Sequence, residues 1–396
     1  MNTKIKISII FLLLFYCTNI YAAPPIKLSD YKLTTITPIL EAKIEKEKNL
    51  IYCSTFQMAW NKLTNLLEET IEIENAPDYI SLLNSSIKNT PYIPEKSYIA
   101  LAGLKKDKIV EKINIILKKK FKISNFLKDN LKNDLDIIAF AYFKNKLKFK
   151  HEFEKNDTPL KFKYGSYEVD IASFGIKKYL YNDPNQQKHL RAKQVEILYW
   201  SNGEFVPKGV IIKLNTLSSS DEIIISTLST ESTLKRTYEK IKDIIDDKFE
   251  IYIPPYINSN DEFCSFLRNR QIIKVNFRAC ESLLIPIIKL NVFHSYEEII
   301  NKKLLNYKLL RKYNYSEYYF KYIITEALQN INFELDQKGA QINSHSKILV
   351  SVLGAKFEAQ KLYINEPFII YLRHKTSELP YFIAYIANDE LLEKFQ

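Results

Sequence analysis

Glycine, cysteine, histidine and methionine are scarce in this chain, and most of these scarcities remove a class of chemistry. Its 396 residues include 7 glycines, 4 cysteines, 5 histidines and 2 methionines. So few glycines leave no phosphate-cradling loop of the G-x-x-x-x-G-K or G-x-G-x-x-G kind and no G-x-S-x-G nucleophile elbow. His151, His189, His294, His345 and His374 are scattered without an H-E-x-x-H pair, so they read as surface or loop residues rather than metal ligands. No Cys-x-x-Cys occurs. Beyond Cys17 the cysteines are Cys53, Cys264 and Cys280, an odd number too small for a disulfide-built fold. A Cys264–Cys280 bridge is one pairing left open, and buried structural thiols are the other reading. A thiol hydrolase built on Cys264 or Cys280 has no local support. These absences argue against an enzyme and point to no cofactor or metal.

What is present begins with a leader. Lys4 and Lys6 precede an apolar run from Ile7 to Tyr16, and Ile20-Tyr21-Ala22 supplies a small residue just before Ala23-Pro24-Pro25. That pattern is expected to be a secretory signal peptide over residues 1–22, cleaved after Ala22, with the remainder secreted or periplasmic. Bulky Phe15-Tyr16 ahead of Cys17 argue against a lipid-attachment site. No later stretch reaches membrane-spanning length, so no membrane association is expected. The net charge is +11. Lysines are dense only from Lys105 to Lys122, where Ile109, Val110, Ile113, Ile116 and Leu117 keep helical spacing; the lysines read as a solvated helix face, with a polyanion as a candidate partner.

Helical patterns come first along the chain. Ser54 with Gln57 resembles a capping box opening a helix to about Glu72, and two more helices are expected over 107–120 and 124–135. Strand-like runs follow at 137–143, 195–200, 209–214 and 222–227, then a helix over 229–246. Ser295 with Glu298 repeats the capping-box pattern. The tail reads as strand, turn, strand over 367–373 and 381–387. Early helices and later antiparallel strands give an α+β class, expected as one domain over 23–396.

Several segments, in order, resemble the serpin superfamily. IIAFAYFK (137–144) with Phe153, Thr158 and Phe162 resembles the family's central strand, and Ile113-Asn114 with Lys122-Ile123 its helix across the main sheet. Leu198-Tyr199 with VIIKL, LIPIIKLN (284–291) with Ser295-Tyr296, DQKGAQ (336–341), and YINEPFIIYLRH (363–374) with FIAYI resemble later family segments from Asn49 to the end of the chain. The resemblance implies a serpin-like single domain: a large central β-sheet, additional β-sheets, N-terminal helices and an exposed reactive loop. A target protease, of serine or cysteine type, would attack that loop as a suicide substrate, and the cut loop would enter the main sheet as a strand, in a monomeric inhibitor.

On this resemblance Asp336, Gln337, Gly339, Ala340, Gln341, Ile342, Asn343 and Ser344 form the hinge. Family spacing puts the reactive bond at Leu353-Gly354, with Lys356 as alternative bait for trypsin-like proteases. From the residues themselves, Ala340, Ile342, Ser344, Ser346 and Ile348 are small or apolar while Gln341, Asn343, His345 and Lys347 are polar. Such alternation suits a strand entering a half-buried sheet, and it also arises by chance in a polar surface loop. Ile342-Asn343 stand where inhibitory members carry small residues. Cys53, Phe56, Ala139, Leu147 and Gln329 replace the family's polar latch with an apolar or altered set, which motivates the alternative of a non-inhibitory binding or carrier protein. The stretch between Trp60 and Lys112 is shorter than in the family.

Overall fold

The computed structural model describes residues 26–88, 90–176, 194–201, 208–246, 282–314, 322–340 and 361–395. The expected leader with its cleavage point, Cys264, Cys280, and residues 341–360 with Leu353, Gly354 and Lys356 lie outside them.

The architecture is α+β. It opens with β1 (Ile26–Lys27), β2 (Thr34–Thr37) and β3 (Asn49–Cys53), then helices α1 (Thr55–Leu67) and α2 (Tyr79–Ser85). Next come β4 (Tyr98–Leu104), α3 (Ile109–Phe121) and β5 (Ile137–Phe143). Five short strands follow, β6 (Leu147–Lys148), β7 (Glu154–Lys155), β8 (Leu160–Tyr164), β9 (Tyr167–Ile171) and β10 (Ser173–Ile176). A meander of β11 (Val195–Ser201), β12 (Gly209–Leu214) and β13 (Asp221–Ser226) leads to α4 (Leu234–Ile245). The later part holds β14 (Ser282–Pro286), β15 (Ile288–Ser295), α5 (Lys308–Lys312), β16 (Leu328–Asp336) and β17 (Gly339–Ala340). It continues through β18 (Lys361–Tyr363), β19 (Phe368–His374) and β20 (Phe382–Ile386).

The largest sheet has seven strands in the order β11-β12-β13-β19-β20-β3-β2. Its central strands are continuous apolar runs because both faces are covered. Ile212, Ile223, Ile225, Ile370 and Ala384 face the main core, while Ile211, Ile224, Ile369, Tyr371 and Ile383 pack against Leu234, Tyr238 and Ile241 of α4. The same main core is closed by the four-stranded sheet β18-β14-β10-β7 and by the inward residues of the sheet β1-β15-β16-β17-β6, called the main sheet below. β4 and β5 form a separate antiparallel pair. Helix α3 and Leu127 and Leu131 cover one face of that pair through Ile99, Leu101, Ile138 and Phe140, and α1 contacts both of its strands.

Three local expectations give way to tertiary contacts. Residues 124–135 are not helical: Asn114 donates from Nδ2 to Leu127 O at 2.8 Å and accepts from Leu127 N at 3.0 Å, pinning an irregular chain over β5. Ser295 caps no helix, because β15 runs through it and pairs it with Leu328, leaving only turns over 297–301. α1 does start at Thr55, but Ser54 makes no side-chain cap bond. The Gln57 amide is drawn instead to Leu83 O at 2.9 Å and Asn61 Oδ1 at 2.7 Å.

Candidate functional site

The expected hinge begins at the top of the main sheet. β16 alternates strictly over its first residues, with Leu328, Asn330 and Asn332 exposed and Gln329, Ile331 and Leu335 buried. It ends at Asp336, whose Oδ1 accepts from Lys338 N at 2.8 Å and closes the turn. The chain then reverses. Gly339 and Ala340 return antiparallel to β16, with Asp336 opposite Gly339 and Leu335 opposite Ala340. On their other side they pair with β6, Gly339 with Lys148 and Ala340 with Leu147. Asp336, Gln337, Gly339 and Ala340 thus form a hairpin whose second strand is already wedged between two strands of the main sheet.

Gly339 is required by this geometry. Its φ of 143° lies where side chains are rarely tolerated, and a Cβ there would stand 2.3 Å from Leu147 O. Two further bonds hold the turn, from Phe149 N to Lys338 O at 3.0 Å and from Phe153 N to Gln337 O at 2.8 Å. Leu335, Ala340 and Leu147 form one row, all buried, pointing into the main core. Near Asp336 the segment 144–148 carries Lys144, Lys146 and Lys148. Partial burial and then these neighbouring lysines push the Lys146 ammonium below its ordinary value, with Asp336 opposing.

Beyond the hairpin the described residues give no ladder between β16 and β5. β16 joins β6 only through β17, and β5, which leads into β6 after three residues, belongs to the other pair. The lower part of β16 is fixed instead from behind. Gln329, 4% exposed, donates from Nε2 to Cys53 O at 3.0 Å and to Thr55 Oγ1 at 2.9 Å. The Tyr296 hydroxyl donates to its Oε1 at 2.7 Å. Burial holds the Tyr296 phenol far above its ordinary pKa and likewise raises the Cys53 thiol, so both stay protonated. Phe56 packs on Tyr296 at 4.4 Å, and His294 meets the same ring edge-on at 4.3 Å. The latch region is therefore altered in identity, as its sequence shows, but it is polar and satisfied at Gln329 rather than apolar.

The lysine-rich stretch is helical as expected, with Lys112, Lys118 and Lys119 exposed on α3. Other members serve the fold: Lys105 Nζ donates to Lys132 O, Lys120 Nζ to Glu95 O and Tyr98 O, and Lys106 lies over the Tyr313 ring at 3.1 Å. Among the described residues no cluster of His, Cys, Asp and Glu suits a metal ion, and no helix is long and apolar enough to cross a membrane.

No family model matches the chain, and no curated protein does. Solved structures do. Serpin48, a highly specific serpin of the insect Tenebrio molitor, is 11% identical, with 87% of this chain and 92% of that one covered and a TM-score of 0.39. Human glycosylated kallistatin is 11% identical over 86% and 92% of the two chains, with a TM-score of 0.42. Thyroxine-binding globulin in complex with thyroxine is 10% identical over 86% and 93%, with a TM-score of 0.41. At this identity the likeness concerns the fold alone.

Proposed function

We propose that this chain is a secreted, serpin-like inhibitor of a serine or cysteine protease, acting as a suicide substrate. One observation carries the reading: Gly339-Ala340 sit as a short strand between β16 and β6, above a stretch where β16 and β5 share no ladder. A protease nucleophile would attack the Leu353 carbonyl, or that of Lys356, form the acyl-enzyme and release the amine of the following residue. The freed loop then extends β17 downward.

Continuing the observed register gives that insertion a residue-level form. Ile342 would come between Phe333 and Asn145, Ser344 between Ile331 and Phe143, and Ser346 between Gln329 and Ala141. These partners lie on the same face as Leu335, Ala340 and Leu147; Ile331 and Gln329 are buried there and the others half-buried. Gln341, Asn343, His345 and Lys347 would share the outer row with the exposed Asn332, Asn330 and Leu328. The bulky Ile342 meets an aromatic floor, since Phe333 stacks on Phe382 at 4.5 Å and Asn145 Nδ2 donates to the Tyr381 hydroxyl at 3.1 Å. An apolar side chain is stabilised there by burial, and the alternation of the loop gains a partner at each step.

The test is to nick the loop with a protease and melt the product. Insertion should raise Tm by roughly 10 °C; for a chain of this size each kcal/mol moves Tm by only about 1–2 °C, so such a rise reports on the order of 5–10 kcal/mol from the added strand. Incubation with a panel of serine and cysteine proteases should yield a complex that survives denaturing electrophoresis. Gly339→Val, which cannot keep β17 seated against Leu147, should lose both effects while remaining folded. Cleavage with no complex and no rise in Tm would sink the inhibitor reading and leave the non-inhibitory binding protein of the same fold.

A further inference from the structure

The stretch from Ile26 to Thr37 is a strap between two sheets. At one end β1 lies parallel to β15, Ile26 beside Val292 and Lys27 beside Phe293, on the outer edge of the main sheet. At the other end β2 lies parallel to β3 on the edge of the seven-stranded sheet. Among the described residues β1 meets β15 at Ile26 and Lys27, and Ile26 is 46% exposed. What holds the strap comes from the far end of the sequence. The Glu390 carboxylate accepts from Lys32 N at 2.8 Å, Leu33 N at 3.0 Å and Thr34 Oγ1 at 2.7 Å. Asn388, fully buried, donates to Leu33 O at 3.2 Å and to Glu47 O at 2.8 Å. Its Oδ1 accepts from Asn49 Nδ2 at 2.7 Å and from Glu390 N at 3.0 Å. Asn49, also fully buried, closes the set by accepting from Ala387 N and Asn388 N and donating to Thr34 Oγ1.

We propose that Glu390 and Asn388 are a buckle that locks this strap and thereby seals the outer edge of the main sheet. A carboxylate taking three donors is the strongest kind of contact the strap makes, since bonds to an ionised acceptor exceed neutral ones. With it closed, β1 covers Val292 and Phe293, whose edge would otherwise be open to pairing with another strand. The strap also contains Lys27 and Lys32, sites for trypsin-like proteases. On the inhibitor reading, a protein that must present only its loop to a protease needs those lysines kept in ordered backbone; the buckle itself stands without that reading.

Hydrogen exchange read by mass spectrometry on the full chain tests it, with trypsin cleavage after Lys27 and Lys32 as a second readout. Glu390→Ala should speed exchange of the amides at 32–34 and 292–293 by roughly tenfold or more, the loss of about one charged hydrogen bond's net worth, and should open both lysines to trypsin. Glu390→Gln, which keeps the size but not the charge, should fall between. Glu393→Ala is the control, because it removes ion pairs to Lys289 and Lys155 without touching the strap. Unchanged strap exchange in a folded Glu390→Ala, or an equal effect from Glu393→Ala, overturns the buckle. Neither result bears on nick-induced stabilisation, so the two ideas fail separately.

Discussion

The seven-stranded sheet and the main sheet are built from similar residues and end in opposite conditions. In the first, β13, β19 and β20 are hydrogen-bonded on both sides and nearly every residue is buried. In the second, β16 alternates exposed with buried residues, and β5 stands apart with every residue only half-buried. One sheet is complete. In the other, β16 and β5 share no ladder among the described residues. On the proposed mechanism this contrast matters, because the seven-stranded sheet would stay fixed while the main sheet gained a strand.

The largest expected effect separates the two sheets directly. Ile370, wholly buried in β19, should cost about 2–5 kcal/mol when cut to alanine, since the transfer loss and the cavity add. Ile138→Ala in half-buried β5 should cost clearly less, as its surroundings can collapse. Urea unfolding of both variants reads the difference. Equal costs would mean that β5 is as firmly built in as β19, and the contrast would fail.

Next in size is the joint between them. Gln329→Leu removes the amide that ties β16 to Cys53 O and Thr55 Oγ1 and leaves the Tyr296 hydroxyl without its acceptor. Stranding such buried groups costs about 1–3 kcal/mol. The variant should melt lower, and, on the proposed mechanism, nicking should raise its Tm by more than it raises that of wild type. A nicked variant that stays as destabilised as the intact one would show that Gln329 supports the core and does not restrain the opening.

How much of this was legible beforehand follows the same contrast. β12, β13, β19 and β20 read as strands because long apolar runs report two covered faces. Gly339 stood out in the sequence, and its positive φ and close approach to Leu147 O give the reason for a glycine there. Alternation from Ala340 onward was visible, whereas the pairing of Gly339 and Ala340 with β6 was not, because β6 is two residues long and carries no period. The helix expected over 124–135 failed on a contact from Asn114, and the capping box at Ser295 failed because a ladder claimed that residue first. Gln329 was visible as a substitution, but its role was not, because its partners lie about 275 residues away in sequence. Asn388 and Glu390 carry no local signal, since what they bind is the other end of the described chain.

The smallest effect probes the same joint through pH. His294 pairs with Gln329 across the β15–β16 ladder and lies against Tyr296, with Glu297 and Glu298 nearby. Burial disfavours its charged form, outweighing the two carboxylates, so its pKa in the folded chain lies below the ordinary 6.5. The unfolded chain then binds the proton more readily. The stability tied to neutral His294 is therefore complete above about pH 6.5 and is lost as pH falls through the window between that value and the lowered folded one. Glu393, Glu68 and Asp136, whose pKa values are lowered in the fold, titrate further into acid, so the window is free of them. Urea midpoints between pH 7 and 5 should show a small decline in wild type that flattens in His294→Gln. If the decline persists unchanged in that variant, the imidazole is not the group that couples acid to the main sheet.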